Sequence, residues 1–229
     1  QGSIYLNPQS WAVISGVGDV DGRGRRAMEA AAERLDTRFG LRICHPPYTG
    51  IPEPEDPPLG SNPGVGENGS IFCHANTWAI IAETMLGNAE RAFHYYRQLL
   101  PEVVSQRAGP DHYAREPYAY VSSIVGPASE RFGEGGISWL TGTASWMYVA
   151  ATQHILGVRP ELGGLRVQPC LPPGLDRVLV RRRFRGCLYE IEIQNAGQGG
   201  VELEMDGRRV DGAVVPVRES SDCRVRCRC

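Results

Sequence analysis

Near residue 160 the spacing of apolar residues changes from a period of 3.6 to a period of 2, and this change limits the fold more than any other feature of the chain. Before it, Met28, Ala31, Ala32 and Leu35 fall at i, i+3, i+4 and i+7, the stripe of a helix with one buried face. Trp78, Ile81, Ala82, Met85 and Leu86 repeat that spacing. Gly87 is placed to end this helix and Asn88 to cap the next, so Phe93, Tyr96 and Leu100 mark the second arm of a helical hairpin. Met147, Ala150, Ala151, His154 and Ile155 form a further stripe, stopped by Gly157 and Pro160. Beyond it, Tyr189, Ile191 and Ile193 alternate with Glu190 and Glu192, and Val201, Leu203 and Met205 alternate with Glu202 and Glu204. Asp206-Gly207 is a hairpin-turn signal. The chain therefore reads as mainly α with a β domain: a helical part over 1–160 and a small antiparallel β domain over 161–229. An exposed, rigid connection from Gly163-Gly164-Leu165 to Leu171-Pro172-Pro173 joins them.

The 229 residues are 41% hydrophobic and 22% charged, enough to bury a core. A formal net charge of -2 gives no reason to expect a nucleic-acid or polyanion partner. The basic run Arg181-Arg182-Arg183, followed by Phe184 and Arg185, suits a solvated strand face before it suits an anion site. No apolar stretch approaches the ~20 residues that span a bilayer, and no basic-then-apolar leader follows Gln1. The expectation is a cytoplasmic protein that touches no membrane. The chain opens on Gln1 rather than Met, which reads as a processed chain or a part of a longer one. Cys44, Cys73, Cys170, Cys187, Cys223, Cys227 and Cys229 are odd in number and follow no framework, so free thiols in a reducing compartment are expected. The tail Cys223, Cys227 and Cys229 lacks paired ligands and a nearby His, so it reads as a ragged end and not as a zinc site; no metal is expected.

Three patches carry candidate chemistry. The segment from Cys44 to Gly69 is crowded with Pro and Gly and has no periodicity, which in a compact domain points to a site-forming loop. It leads into Pro63-Gly64-Val65-Gly66-Glu67-Asn68-Gly69-Ser70-Ile71-Phe72-Cys73-His74, which delivers a carboxylate, an amide and an imidazole to the start of a helix. Asn76 can cap that helix, and its positive end favours anions. Glu67 and His74 also suit ordinary loop polar groups. The second patch, Gly133-Glu134-Gly135-Gly136-Ile137-Ser138-Trp139-Leu140-Thr141-Gly142-Thr143-Ala144-Ser145-Trp146, combines glycines, small hydroxyls and a helix start. Phosphate sites need such parts, because backbone N–H groups point outward and Gly lets an anion approach. No Lys follows the Gly-Thr, so this is not a Walker loop, and a capped helix start would look the same. The third patch, Glu116-Pro117-Tyr118-Ala119-Tyr120-Val121, places aromatics beside a carboxylate, which suits a sugar; Tyr120 also suits a helical core.

Taken together the patches resemble glycoside hydrolase family 94, the cellobiose, cellodextrin and chitobiose phosphorylases. The resemblance runs from Leu6-Asn7-Pro8-Gln9-Ser10-Trp11-Ala12-Val13 to about Pro172 and includes Ala82-Glu83-Thr84-Met85-Leu86-Gly87, Ser138-Trp139-Leu140-Thr141-Gly142-Thr143-Ala144 and Gly157-Val158-Arg159-Pro160. It implies the C-terminal portion of an (α/α)6 barrel followed by a small antiparallel β-sandwich domain. It implies an inverting β-glycoside phosphorylase, a glycosyltransferase that cleaves a β-linked gluco-disaccharide or oligosaccharide with inorganic phosphate as co-substrate and no cofactor. The product would be an α-sugar 1-phosphate. The family's acidic sugar-binding residue matches Glu67, and its phosphate-holding positions match His74, Thr141 and Gly142; Asn68, Glu116 and Tyr118 are taken as further sugar contacts. The family's general acid is an Asp in the half of the barrel that would precede Gln1, and no motif for it is found in this chain. The family is commonly dimeric. Gly66 stands where cellobiose phosphorylases commonly place Lys, Ser61 where they place Tyr and Ser122 where they place Gln, which leaves cellobiose, chitobiose, cellodextrins and other β-linked fragments open. Two other readings remain: a carbohydrate-binding piece that needs its missing half for turnover, and a plain hydrolase with a second carboxylate across the site.

Overall fold

A computed structural model describes residues 3–49, 62–197 and 200–229. The chain forms two compact units, Gln1–Ala150 and Ala151–Cys229. The division falls before the 160/161 boundary that the change of period suggests. The reason is local: the Ile155 carbonyl accepts from the Cys170 N–H and the Gly157 carbonyl from the Gln168 N–H, so the last helical turn is tied to the strand part.

In the first unit, β1 (Ile4–Tyr5) leads into α1 (Leu6–Ile14), and α2 (Arg23–Leu35) follows a tight 3-10 segment. β2 (Cys44–His45) pairs back on β1, and β3 (Ile71–Phe72) opens α3 (Cys73–Met85). Then come α4 (Ala89–Gln98), α5 (Pro101–Ala108), the single turn α6 (Pro110–Tyr113), β4 (Ser123–Ile124) and α7 (Thr143–Val149). The stripe of α2 is buried as its spacing demands, with Met28, Ala31 and Leu35 closed to solvent. α3 differs from its expected stripe. It packs against α1, α4 and α7, so it is buried on nearly every side, while Met85 at its end is exposed. In α4 the buried set is Ala92, Tyr95 and Gln98, with Leu99 just after it; Phe93, Tyr96 and Leu100 are only half-buried.

α3 ends as its sequence asks. Gly87 adopts a left-handed φ of 77°, its N–H reaches the Thr84 carbonyl and the Asn88 N–H reaches that of Glu83, which closes a Schellman turn. Two expected caps are not used. Asn88 stands at the start of α4, but its side chain donates to Glu83 instead. Asn76 lies inside α3, because that helix begins at Cys73. Its amide oxygen accepts from the Leu41 N–H at 2.7 Å, and its NH2 donates to the carbonyls of Leu41 at 2.9 Å and Phe72 at 3.0 Å. Asn76 thus replaces a missing strand partner for a buried stretch of chain rather than capping a helix.

In the second unit a helical turn runs to Ile155, followed by β5 (Val158–Glu161), β6 (Gly164–Val167), β7 (Arg177–Phe184), β8 (Cys187–Gln194), β9 (Glu202–Met205), β10 (Arg208–Val210), β11 (Val214–Pro216) and β12 (Asp222–Arg228). One sheet has the order β10-β9-β12-β8-β7, the other β11-β6-β5. Tyr189, Ile191 and Ile193 point inward, and the Tyr189 hydroxyl donates to the Pro216 carbonyl of the smaller sheet. Asp206-Gly207 makes the two-residue turn between β9 and β10, both residues with positive φ. The residues Gly164–Val167, expected as exposed connection, are a strand with Leu165 and Val167 fully buried. The cysteine tail is not ragged: β12 is the middle strand of the larger sheet and turns Cys223, Val225 and Cys227 inward. β12 lies antiparallel to β9 but parallel to β8, so the unit is not purely antiparallel. Arg181 and Arg183 lie on the solvated face of β7, and Arg181 pairs with Glu190 at 2.9 Å. Among the described residues Cys44, Cys73, Cys187, Cys223, Cys227 and Cys229 are free thiols, no cluster of metal-ligating side chains occurs, and no helix is long and apolar enough to cross a membrane.

Asn76→Ala is expected to destabilise the protein by about 2–4 kcal/mol, since it leaves the buried Leu41 N–H and C=O unpaired. The denaturant midpoint measures this; a loss below about 0.5 kcal/mol would contradict the role given to Asn76.

Candidate functional site

All the residues singled out in the three patches lie in the first unit, and a ladder of short backbone pairings brings the patches side by side. Ile71 and Phe72 pair with Ile124 and Ser123, the Cys73 N–H donates to the Ser122 carbonyl, and Val121 bridges Ser138. Further along, the Gly126 N–H donates to the Gly64 carbonyl at 2.7 Å. A Cβ on Gly126 would stand 2.1 Å from the Gly69 carbonyl oxygen, so only glycine allows this approach. The segment 121–126 therefore stitches the loop that carries Glu67 to the stretch that leads into Thr141. Its starting point is the third patch.

His74 sits in the first turn of α3, with Trp78 one turn later on the same face. The ring centroids of His74 and Trp78 are 4.9 Å apart, and Trp146 of α7 stands 6.1 Å from both. Trp11 meets Trp78 edge to face at 5.5 Å. Gly142 meets the His74 ring directly: a Cβ there would be 2.8 Å from Cε1 and 3.0 Å from Nδ1. The imidazole thus lies against a bare stretch of backbone at the start of α7, boxed by indoles. The ring is half-buried there, and burial pushes the His74 pKa below the ordinary histidine value, so the ring is neutral near pH 7. Its Nε2 and the Nε1 of Trp78 are both buried and without a hydrogen-bond partner among the described residues. Buried polar atoms of this kind call for a ligand or a bound water.

Thr141 lies at the same turn. Its Oγ1 accepts from the Thr143 N–H at 3.1 Å and shares a hydrogen bond with the Thr143 hydroxyl at 2.7 Å. When Thr143 is the donor, Thr141 keeps its own hydroxyl hydrogen for an incoming acceptor. His74, Thr141 and Gly142 are therefore brought together.

Glu116 and Tyr118 form a second cluster. The indole N–H of Trp139 donates to a Glu116 carboxylate oxygen at 3.1 Å, and the Tyr118 and Trp139 rings meet edge to face at 6.4 Å. Hydrogen bonds from its own backbone N–H, Trp139 and Ser138 hold the Glu116 carboxyl below the usual carboxylate range, so it is charged. Trp139 has a φ of 67°, a left-handed conformation that costs a bulky residue about 1–3 kcal/mol.

Glu67 is exposed, and among the described residues its carboxylate has no ion-pair partner; neither cluster includes it. Asn68 is buried and serves the loop: its oxygen accepts from the Tyr48 N–H at 2.6 Å and its NH2 donates to the Tyr48 carbonyl at 3.0 Å. That clasp joins the two described ends of the Pro/Gly-rich segment. Ser61 lies outside the described residues, and Ser122 is in the ladder beside Cys73. Trp78, Trp139 and Trp146 lie within or next to the candidate patches but carry no role on sequence grounds. The spacing of four between His74 and Trp78, and between Gly142 and Trp146, was the available signal.

Over residues 1–157 the chain matches the family profile described as the Glycosyl hydrolase 94 superfamily, catalytic domain. It is 36% identical over 220 residues to a solabiose phosphorylase of Paenibacillus borealis, covering 95% of this chain and 28% of that protein. It is 34% identical over 232 residues to an N,N'-diacetylchitobiose phosphorylase of Vibrio proteolyticus, covering 98% and 28%. It is 29% identical over 233 residues to a 3-O-beta-D-glucopyranosyl-beta-D-glucuronide phosphorylase of Paenibacillus borealis, covering 98% and 29%. The chain thus spans less than a third of the length of these relatives.

Histidine-ring NMR is expected to show His74 titrating below 6.5, and Trp146→Ala, which opens the indole box to water, should move that midpoint back up toward 6.5. A midpoint that stays put in the variant would show that the box is not what holds the imidazole neutral.

Proposed function

Because the chain belongs to the glycosyl hydrolase 94 family, we propose that the protein is an inverting phosphorylase of β-linked disaccharides or oligosaccharides. In this reading inorganic phosphate is the co-substrate and no cofactor takes part. An oxygen of phosphate attacks the anomeric carbon from the face opposite the leaving sugar. The glycosidic bond breaks, its oxygen takes a proton from a carboxylic acid that we do not place among these residues, and an α-sugar 1-phosphate results. An inverting hydrolase needs a second carboxylate to activate water. Phosphate is already a nucleophile, so an anion cradle can replace that base. The observation that carries the reading is the meeting of His74 with Gly142 at the Thr141 turn, with the buried Nε2 unpartnered.

The anion is held by neutral donors: an imidazole N–H, the Thr141 hydroxyl and the amide edge of the turn. Neutral donors in a water-poor site orient a dianion without the strong ion pair that would blunt it as a nucleophile. Glu116 and Tyr118 take the sugar, the charged carboxylate accepting from its hydroxyls. Glu67, on the clasped loop, is the acidic contact at the bond being broken. The helical unit, in which α3 is packed from several sides, is read as part of an (α/α)6 barrel, and the two sheets of the second unit as a β-sandwich. The relatives' names cover several disaccharides, so the sugar and linkage are assigned only as β-linked.

In the intact protein, Thr141→Val or His74→Ala is expected to weaken phosphate use ten-fold or more, the scale of losing a hydrogen bond to a charged group, about 1.5–3 kcal/mol. Initial rates of sugar 1-phosphate formation against phosphate concentration measure this. An unchanged phosphate requirement in both variants would overturn the cradle.

A further inference from the structure

We propose that Trp139 is a sugar-contact residue whose exposed indole forms one wall of the site that takes the β-linked substrate, with Tyr118 as the adjoining wall and Glu116 as the polar contact between them. The inference rests on the phosphorylase reading for its substrate class but stands on its own geometry. Trp139 is 71% exposed and Tyr118 75%, yet the two rings are not loose: they meet at 63° with centroids 6.4 Å apart. The Trp139 ring is pinned through its indole N–H to Glu116, and its backbone N–H donates to the Tyr120 carbonyl at 3.2 Å. An aromatic pair left uncovered by these 229 residues, with a charged acceptor at its corner, matches the two sides of a pyranose, apolar C–H on the ring face and hydroxyls at the rim. Glu116 and its neighbour Ser138 also border a shallow, open depression with Pro110, Ala114 and Arg115.

The backbone gives a second, independent reason. A left-handed tryptophan persists only where the surroundings over-determine it, and such residues cluster at ligand clamps. The same turn that swings the indole toward Glu116 starts the run into Thr141 and Gly142. The wall for the sugar and the cradle for phosphate are therefore one continuous stretch of four residues, Trp139 to Gly142.

The test uses the intact protein with cellobiose and N,N'-diacetylchitobiose as probes. Trp139→Ala is expected to raise the KM for the sugar ten-fold or more while the KM for phosphate changes less than two-fold. Trp139→Phe, which keeps a ring but loses the N–H, should raise the sugar KM only a few-fold. Equal changes in both KM values, or no change in the sugar KM, would overturn the assignment. Should Trp139→Ala fail to fold, oxidation of the wild-type protein with N-bromosuccinimide decides the matter. Saturating sugar is expected to protect Trp139, mapped by peptide mass, and equal oxidation with and without either sugar would refute the proposal. That measurement needs no turnover, so a protein that binds sugar at Trp139 but ignores phosphate would sink the phosphorylase reading and leave this one standing.

Discussion

The first cluster of the candidate site depends on the closeness of an imidazole to a residue with no side chain. The His74 ring lies within 3 Å of where a Cβ of Gly142 would stand, and the indoles of Trp78 and Trp146 flank it. This one contact does three things. It brings α3 and α7 together, it helps half-bury the ring, and it sets the imidazole beside a helix start. A methyl group at 142 would have to push the ring out of its box, so the packing constraint and the chemical one coincide.

The contact is possible because the surrounding backbone is held by polar groups acting as substitutes for sheet. Asn76 pairs both backbone groups of Leu41, and Asn68 pairs both backbone groups of Tyr48. Each amide does the work of a strand neighbour for chain that has none. Short pairings at 71–73, 121–126 and 135–138 finish the frame. Loops that carry site residues are thereby rigid where they meet the helices, which is what precise placement of an anion requires.

Much of this was legible in the residues. The change of period separated helices from strands, the Asp206-Gly207 turn set a hairpin register, and the three patches contained the imidazole, hydroxyl and carboxylate that the structure gathers into two clusters. What stayed hidden is what depends on partners distant in sequence. Asn76 sits three residues past the start of α3, and only its neighbour Leu41 reveals its purpose. The parallel alignment of β12 with β8 is decided by which gap in the sheet the last strand fills, which no local pattern encodes. The buried face of α4 is displaced from the expected stripe because neighbouring helices, not the strongest apolar residues, choose the side that is covered. The turn of Trp139 toward Glu116 was hidden because a positive φ in a tryptophan runs against its local preference.

In the proposed reading one anion binds where the imidazole meets the Thr141–Gly142 turn, within reach of both. A crystal structure of the intact protein soaked with orthovanadate or phosphate tests it most directly. The expected result is an anion with oxygens within about 3.2 Å of a His74 ring nitrogen and of the Thr141 hydroxyl. An anion bound elsewhere, with the His74 ring and the turn facing separate cavities, would contradict it.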